Sequence, residues 1–151
     1  DSSTSRGLGD VYKRQSPPRP SPALILPISS MRYELTQEFF FDAAHTLERA
    51  IEAEPSRRIH GHTYHAVVSI GGRPDPVTGM LIDLGFFRAE LARVREQLDH
   101  RLLDEVPGLR AATLENLCAF VAEALRPALP QLSKVTIARR ASGDRCTLYL
   151  D

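Results

Sequence analysis

Residues 59–70 read IHGHTYHAVVSI, an alternating stretch that begins with two histidines one residue apart. Successive side chains of a strand point to opposite faces, so His60, His62, Tyr64, Ala66, Val68 and Ile70 share one face. That face is apolar except at its head. A chain that buries this strand must therefore satisfy two imidazoles at the end of its core. Residues i and i+2 of a strand lie roughly 6.6 Å apart at Cα, close enough for two rings to converge on one ion.

The strand before it obeys the same rule. In MRYELTQEFFFDAAH, Tyr33, Leu35, Phe39, Phe41 and Ala43 share one parity, and the inward face ends at His45. A charged loop, TLERAIEAEPSRR, joins the two. After GGRPDPVTG, a turn cluster, the short apolar MLID reads as a strand, so residues 63–83 are expected to form an antiparallel hairpin. Phe87, Leu91, Val94 and Leu98 then recur at steps of four, three and four behind Asp83, an N-cap type of residue. Thr113 caps a second helical stripe of Leu114, Leu117, Cys118, Val121 and Leu125 that stops before Pro127. KVTIARR and RCTLYL around Gly143 form a closing hairpin. The expected class is α+β, with two helices on one face of a four-stranded antiparallel sheet.

The first thirty residues lack any sustained period, and five prolines crowd between Pro17 and Pro27. Residues 1–30 read as a disordered leader or a sequence artefact, and 31–151 as one domain. Nineteen Lys and Arg balance nineteen Asp and Glu, so no global field draws the chain to nucleic acid or an anionic membrane, and neither partner is expected. No apolar run approaches the roughly 20 residues that span a bilayer. Cys118 and Cys146 are too few and too far apart in sequence for a disulfide scaffold, which fits free thiols in a reducing cytoplasm. Cys118 lies on a helical stripe and is expected in the core, and Cys146 alternates with Leu148 and Leu150 in the same sense.

His45, His60 and His62 each sit on an inward parity at a strand end, and strands adjacent in sequence usually pair in space. Three neutral imidazoles with no fourth protein ligand make a zinc site of the catalytic kind, one position being left for water or substrate. An isolated HxH is more often a hydrogen-bonded pair of core histidines. The third histidine in phase shifts the reading to metal.

FFFDAAH, HGHTY, GMLID, LDH and TLENL, in this order and spacing, resemble the 6-pyruvoyl-tetrahydropterin synthase and 6-carboxytetrahydropterin synthase family over about residues 31–151. The resemblance implies a T-fold whose subunits associate into barrels, as a hexamer of two trimers, with active sites between subunits. It implies a zinc-dependent carbon–oxygen or carbon–carbon lyase acting on a small molecule, 7,8-dihydroneopterin triphosphate. On this pattern His45, His60 and His62 are the zinc ligands, and zinc holds the substrate's two side-chain hydroxyls. Asp99 and His100 match a catalytic pair donated to the neighbouring subunit, with His100 shuttling a proton and Asp99 fixing its tautomer. A helix C-terminal histidine on the macrodipole would, without that pattern, be as good a reading of His100. Thr113, Glu115 and Asn116 match substrate-binding positions, although a simple helix cap explains Thr113 equally well.

Two positions depart from the pattern. Where the family commonly has a catalytic cysteine, four residues before the first histidine of HGH, this chain has Ser56. A serine hydroxyl does not reach a thiolate-like state without a strong activating partner. Where the family has a glutamate that accepts hydrogen bonds from the pterin edge, this chain has Arg139, which has donors only. Arg139 and Arg140 read either as solvated hairpin charges or, for Arg139, as a grip on a carbonyl, carboxylate or phosphate, and Asp144 is a nearby carboxylate. Arg57 and Arg58 stand between two readings, pairing a triphosphate or lying exposed on a loop.

Overall fold

The computed structural model describes residues 27–150, so most of the expected leader lies outside the described residues; Ile28–Ser30 form one turn of 3-10 helix. The order that follows is β1 (Tyr33–His45), α1 (Ala53–Arg57), β2 (His60–Gly72), α2 (Leu84–Leu98), β3 (Arg101–Leu102), α3 (Leu114–Leu125), β4 (Leu132–Arg139) and β5 (Asp144–Tyr149). The strands make one sheet in the order β3-β1-β2-β4-β5. β1, β2, β4 and β5 are the four antiparallel strands expected, and β3 adds two residues parallel to β1 at its Ala43–Ala44 end.

Alternation in β1 and β2 becomes burial. Phe41, Ala43 and His45 on β1 and Tyr64, Ala66, Val68 and Ile70 on β2 are buried, whereas the intervening Phe40, Asp42 and Thr63 are exposed. Both helices cover the buried face. Phe87, Leu91, Val94 and Leu98 of α2 and Leu117, Cys118, Val121 and Leu125 of α3 pack into the same core as Phe41, Tyr64 and Val68. Asp83 caps α2 by accepting from the Phe86 N–H at 3.0 Å, and Thr113 caps α3 by accepting from the Asn116 N–H at 3.1 Å.

Two expectations are corrected. Leu81 and Ile82 form a bend between irregular Met80 and Asp83, and not a strand, because β2 already has β1 on one edge and β4 on the other and offers no free edge to a hairpin partner. The charged loop before β2 contains α1, a third helix, with Pro55 in its first turn where a missing N–H costs no hydrogen bond. Its entry is set by Glu52, which adopts a left-handed conformation at φ 54°. Gly143 closes the β4–β5 turn at φ 79°, a conformation that glycine takes without steric cost.

The Phe41 ring stacks on Tyr64 with centroids 5.0 Å apart, directly beneath the histidine end of the sheet. Replacing Phe41 by Ala removes a fully buried ring and is expected to cost about 3–5 kcal/mol of stability, measured as a lowered urea midpoint at unchanged slope. The Cys118 thiol, buried and beside Cys146, is pushed well above the ordinary thiol range. In the folded protein at pH 8 it is expected to resist iodoacetamide, and to react once urea unfolds the chain, as followed by peptide mass spectrometry.

Candidate metal centre

The register of β1 on β2 sets His45 directly opposite His60 and Ala43 opposite His62. Three rings thus meet at one end of the sheet, with centroids 4.5 Å apart for His45 and His60, 5.1 Å for His45 and His62 and 5.0 Å for His60 and His62. One ring nitrogen from each lies within 4.8 Å of the other two.

Backbone carbonyls choose the tautomers. His45 Nδ1 donates to the Ala112 carbonyl at 3.0 Å and His60 Nδ1 to the Arg58 carbonyl at 2.8 Å, so in each neutral ring Nε2 carries the lone pair. His45 Nε2 is buried and has no hydrogen-bond partner. An unsatisfied buried acceptor costs roughly 1–3 kcal/mol, and a cation between the three rings is the partner this arrangement fits. Protonation is disfavoured as ligation requires. Burial first, then neighbouring positive charge, lowers His45 below its ordinary value and brings His62 to about 4, leaving both neutral at pH 7.

A cavity of about 430 Å³ opens over His45 and His60. It is lined by His45, His60, Ser56, Thr113, Glu115 and Arg139, so three separate sequence expectations are brought to one place. Ser56 is held there by α1, whose main chain returns to β1 through the Leu47 N–H donating to the Ser56 carbonyl at 2.8 Å. Arg139, at the end of β4, is not the solvated hairpin charge that its position in sequence allowed. Its Nη2 donates to Asp144 at 2.7 Å and its Nη1 lies 3.4 Å from His62 Nε2. Arg140 instead is exposed and pairs with Glu38 on the opposite face. Arg57 is exposed and Arg58 pairs with Glu54 across open solvent, and neither lines the cavity, which favours the loop reading of both.

Asp99 and His100 are not brought to this cavity within one chain. They follow α2, and His100, 80% exposed at its side chain, helps line a separate surface hollow with Asp42, Gly61, His62 and Thr63. Asp99 is nonetheless well fixed. Its carboxylate accepts from the Asp42 N–H at 3.0 Å, pairs with Arg95 at 2.9 Å and meets His100 Nδ1 at 3.1 Å. Burial pushes that carboxyl up, but these hydrogen bonds and positive charges outweigh it and hold it below the usual range.

Tyr64 was legible as a core residue but not as part of the site. Its hydroxyl is buried without a partner at the cavity wall, and burial raises it to about 12, so it stays a neutral donor. Its parity with His60 and His62 was the available signal. The Ala112 carbonyl had none, because any residue there supplies the same oxygen.

A family model described as 6-pyruvoyl tetrahydropterin synthase matches residues 34–149. The chain is 34% identical over 113 residues to a putative 6-pyruvoyl tetrahydrobiopterin synthase of Caenorhabditis elegans, covering 64% of this chain and 81% of the relative. It is 32% identical over 107 residues to a 6-carboxy-5,6,7,8-tetrahydropterin synthase of Synechocystis, covering 67% and 81%. The solved 6-pyruvoyl tetrahydropterin synthase of Caenorhabditis elegans superposes with a TM-score of 0.69 at 26% identity, over 80% of this chain and 97% of that one. The architecture is the T-fold of these proteins.

The depressed histidines give the metal-free protein a pH signature. As pH falls from 6.5 toward 4, the unfolded chain binds a proton at His62 that the folded chain refuses, so stability falls through this window. His45 acts in the same direction. Protein stripped with EDTA is expected to show a lower urea midpoint at pH 5 than at pH 7; a constant midpoint would contradict the geometry of neutral, crowded rings.

Proposed function

Because the chain belongs to the 6-pyruvoyl tetrahydropterin synthase family, we propose that it is a zinc-dependent lyase of the 6-carboxytetrahydropterin synthase kind, acting on 7,8-dihydroneopterin triphosphate or a related reduced pterin. The observation that carries this reading is the buried, partnerless Nε2 of His45 among two further imidazoles at the floor of a cavity. His45, His60 and His62 hold the zinc, and the Ala112 and Arg58 carbonyls orient the first two. Bound there, zinc supplies Lewis-acid polarisation of a substrate oxygen.

The chain's own groups handle binding and protons. Thr113 and Glu115 face the substrate at the start of α3, and the Tyr64 hydroxyl donates a hydrogen bond from the cavity wall. His100, with Nδ1 on the Asp99 carboxylate, has Nε2 free to take a proton, and Asp99 stabilises the charged ring. Since this pair does not line the cavity that holds His45, His60 and Arg139 in its own chain, the reading has it serve the site of a neighbour and includes self-association of T-fold subunits into a barrel, as a hexamer. Two free thiols fit a cytoplasmic setting.

Ser56 and Arg139 favour a second reading on the same scaffold, a lyase with a different base and an altered substrate. Ser56 lines the cavity and lacks the acidity of a thiol. Arg139 presents donors to the ligand, never an acceptor.

Zinc-loaded protein incubated with 7,8-dihydroneopterin triphosphate is expected to yield the carboxy- or pyruvoyl-tetrahydropterin by mass spectrometry. Unchanged substrate would move the assignment to the second reading. His60→Ala is expected to weaken zinc binding by more than about 100-fold, beyond the 10- to 100-fold typical of outer-sphere changes, and to abolish turnover. Lost zinc with intact turnover would sink the metal mechanism.

A further inference from the structure

Arg139 is a cation whose surroundings change when the triad is loaded. Its Nη2 is satisfied by Asp144, whose carboxylate also accepts from Ser142 at 2.7 Å. Its Nε is buried and has no partner, and the acceptor beside Nη1 is His62 Nε2 at 3.4 Å. Metal ligation by His62 removes that acceptor in either tautomer. If Nε2 binds the metal, its lone pair is used; if Nδ1 binds, the proton moves to Nε2, which then faces Arg139 as a second donor.

The loaded site therefore leaves Nη1 beside the metal position with no protein acceptor, while Nε is buried without one. An oxygen of a carboxylate or phosphate is the acceptor that suits the free Nη1 donor. The surroundings favour the same sign. Arg49, Arg139 and Arg145 line the cavity against Glu115 and Asp144, before the charge of a metal is added.

We infer that Arg139 and the metal position form the two halves of an oxyanion receptor, and that the ligand of this site presents a carboxylate or phosphate between them. The inference rests on the metal-centre reading and names the chemical group that reading leaves open. It also makes sense of a donor-only residue within reach of a metal ligand: the repulsion between guanidinium and metal is offset by the anion they share.

The test uses cobalt(II) as a spectroscopic replacement for zinc in the full chain, titrated separately with inorganic phosphate and with acetate while the visible absorption is followed. Saturable spectral change is expected with at least one, and the tighter of the two identifies the source of the oxyanion. In Arg139→Gln, with cobalt content unchanged, affinity is expected to fall about 10- to 100-fold, the scale of a lost charge-assisted hydrogen bond. Equal affinity in the variant overturns the inference while leaving the metal site intact. A chain that takes up no cobalt overturns the metal reading, and the inference falls with it. A second arm needs no variant: phosphate or acetate is expected to raise the melting temperature of loaded wild-type protein more than that of stripped protein, and an equal rise in both would rule out a shared anion.

Discussion

The pairing of β1 with β2 in one register is the constraint on which the site depends. With His45 opposite His60, two imidazoles that each strand would otherwise hide in a core are brought against one another, and His62 completes the group from two residues along. A slip of one residue would send one strand's set to the other face of the sheet and dissolve the cluster. The apolar residues on the same parities, Phe41, Tyr64, Val68 and Ile70, hold that register because they are buried beneath α2 and α3. The polar cluster is thus maintained by hydrophobic packing that has no chemistry of its own.

The remaining elements each supply something to this end of the sheet. The loop before α3 turns a carbonyl, Ala112, onto His45 and then starts a helix whose first turn carries Thr113 and Glu115 to the cavity. α1 carries Ser56 to the cavity lining. β4 ends with Arg139 beside His62, where Asp144 from β5 holds one arm of the guanidinium. Burial and positive charge together keep His45 and His62 neutral, so the same packing that forms the fold prepares their nitrogen lone pairs for a metal.

What the sequence revealed follows from the range of each signal. Strand parity is local, so the inward faces of β1 and β2, the three histidines and the helix stripes with their caps at Asp83 and Thr113 were all readable. Pairing partners are not local: MLID has strand-like residues, yet β4, some fifty residues on, takes the edge of β2 that the hairpin would have needed. β3 is two residues long and exists because the chain leaving α2 passes β1, which no periodicity announces. Arg139 and Arg140 are neighbours of one type in sequence and face opposite sides of the sheet, one into the cavity and one toward Glu38. Composition could not separate them. Asp99 and His100 were readable as a pair only through the family pattern, since within one chain they do not line the cavity beside His45 and His60.

Ligation of one metal ion by His45, His60 and His62 through nitrogen is decided by X-ray absorption on the zinc-loaded full chain. One zinc per chain is expected, with three imidazole nitrogens at about 2.0–2.1 Å and an oxygen or nitrogen donor in the remaining position. Substoichiometric zinc, or a shell dominated by sulfur at about 2.3 Å from Cys118 or Cys146, would contradict it.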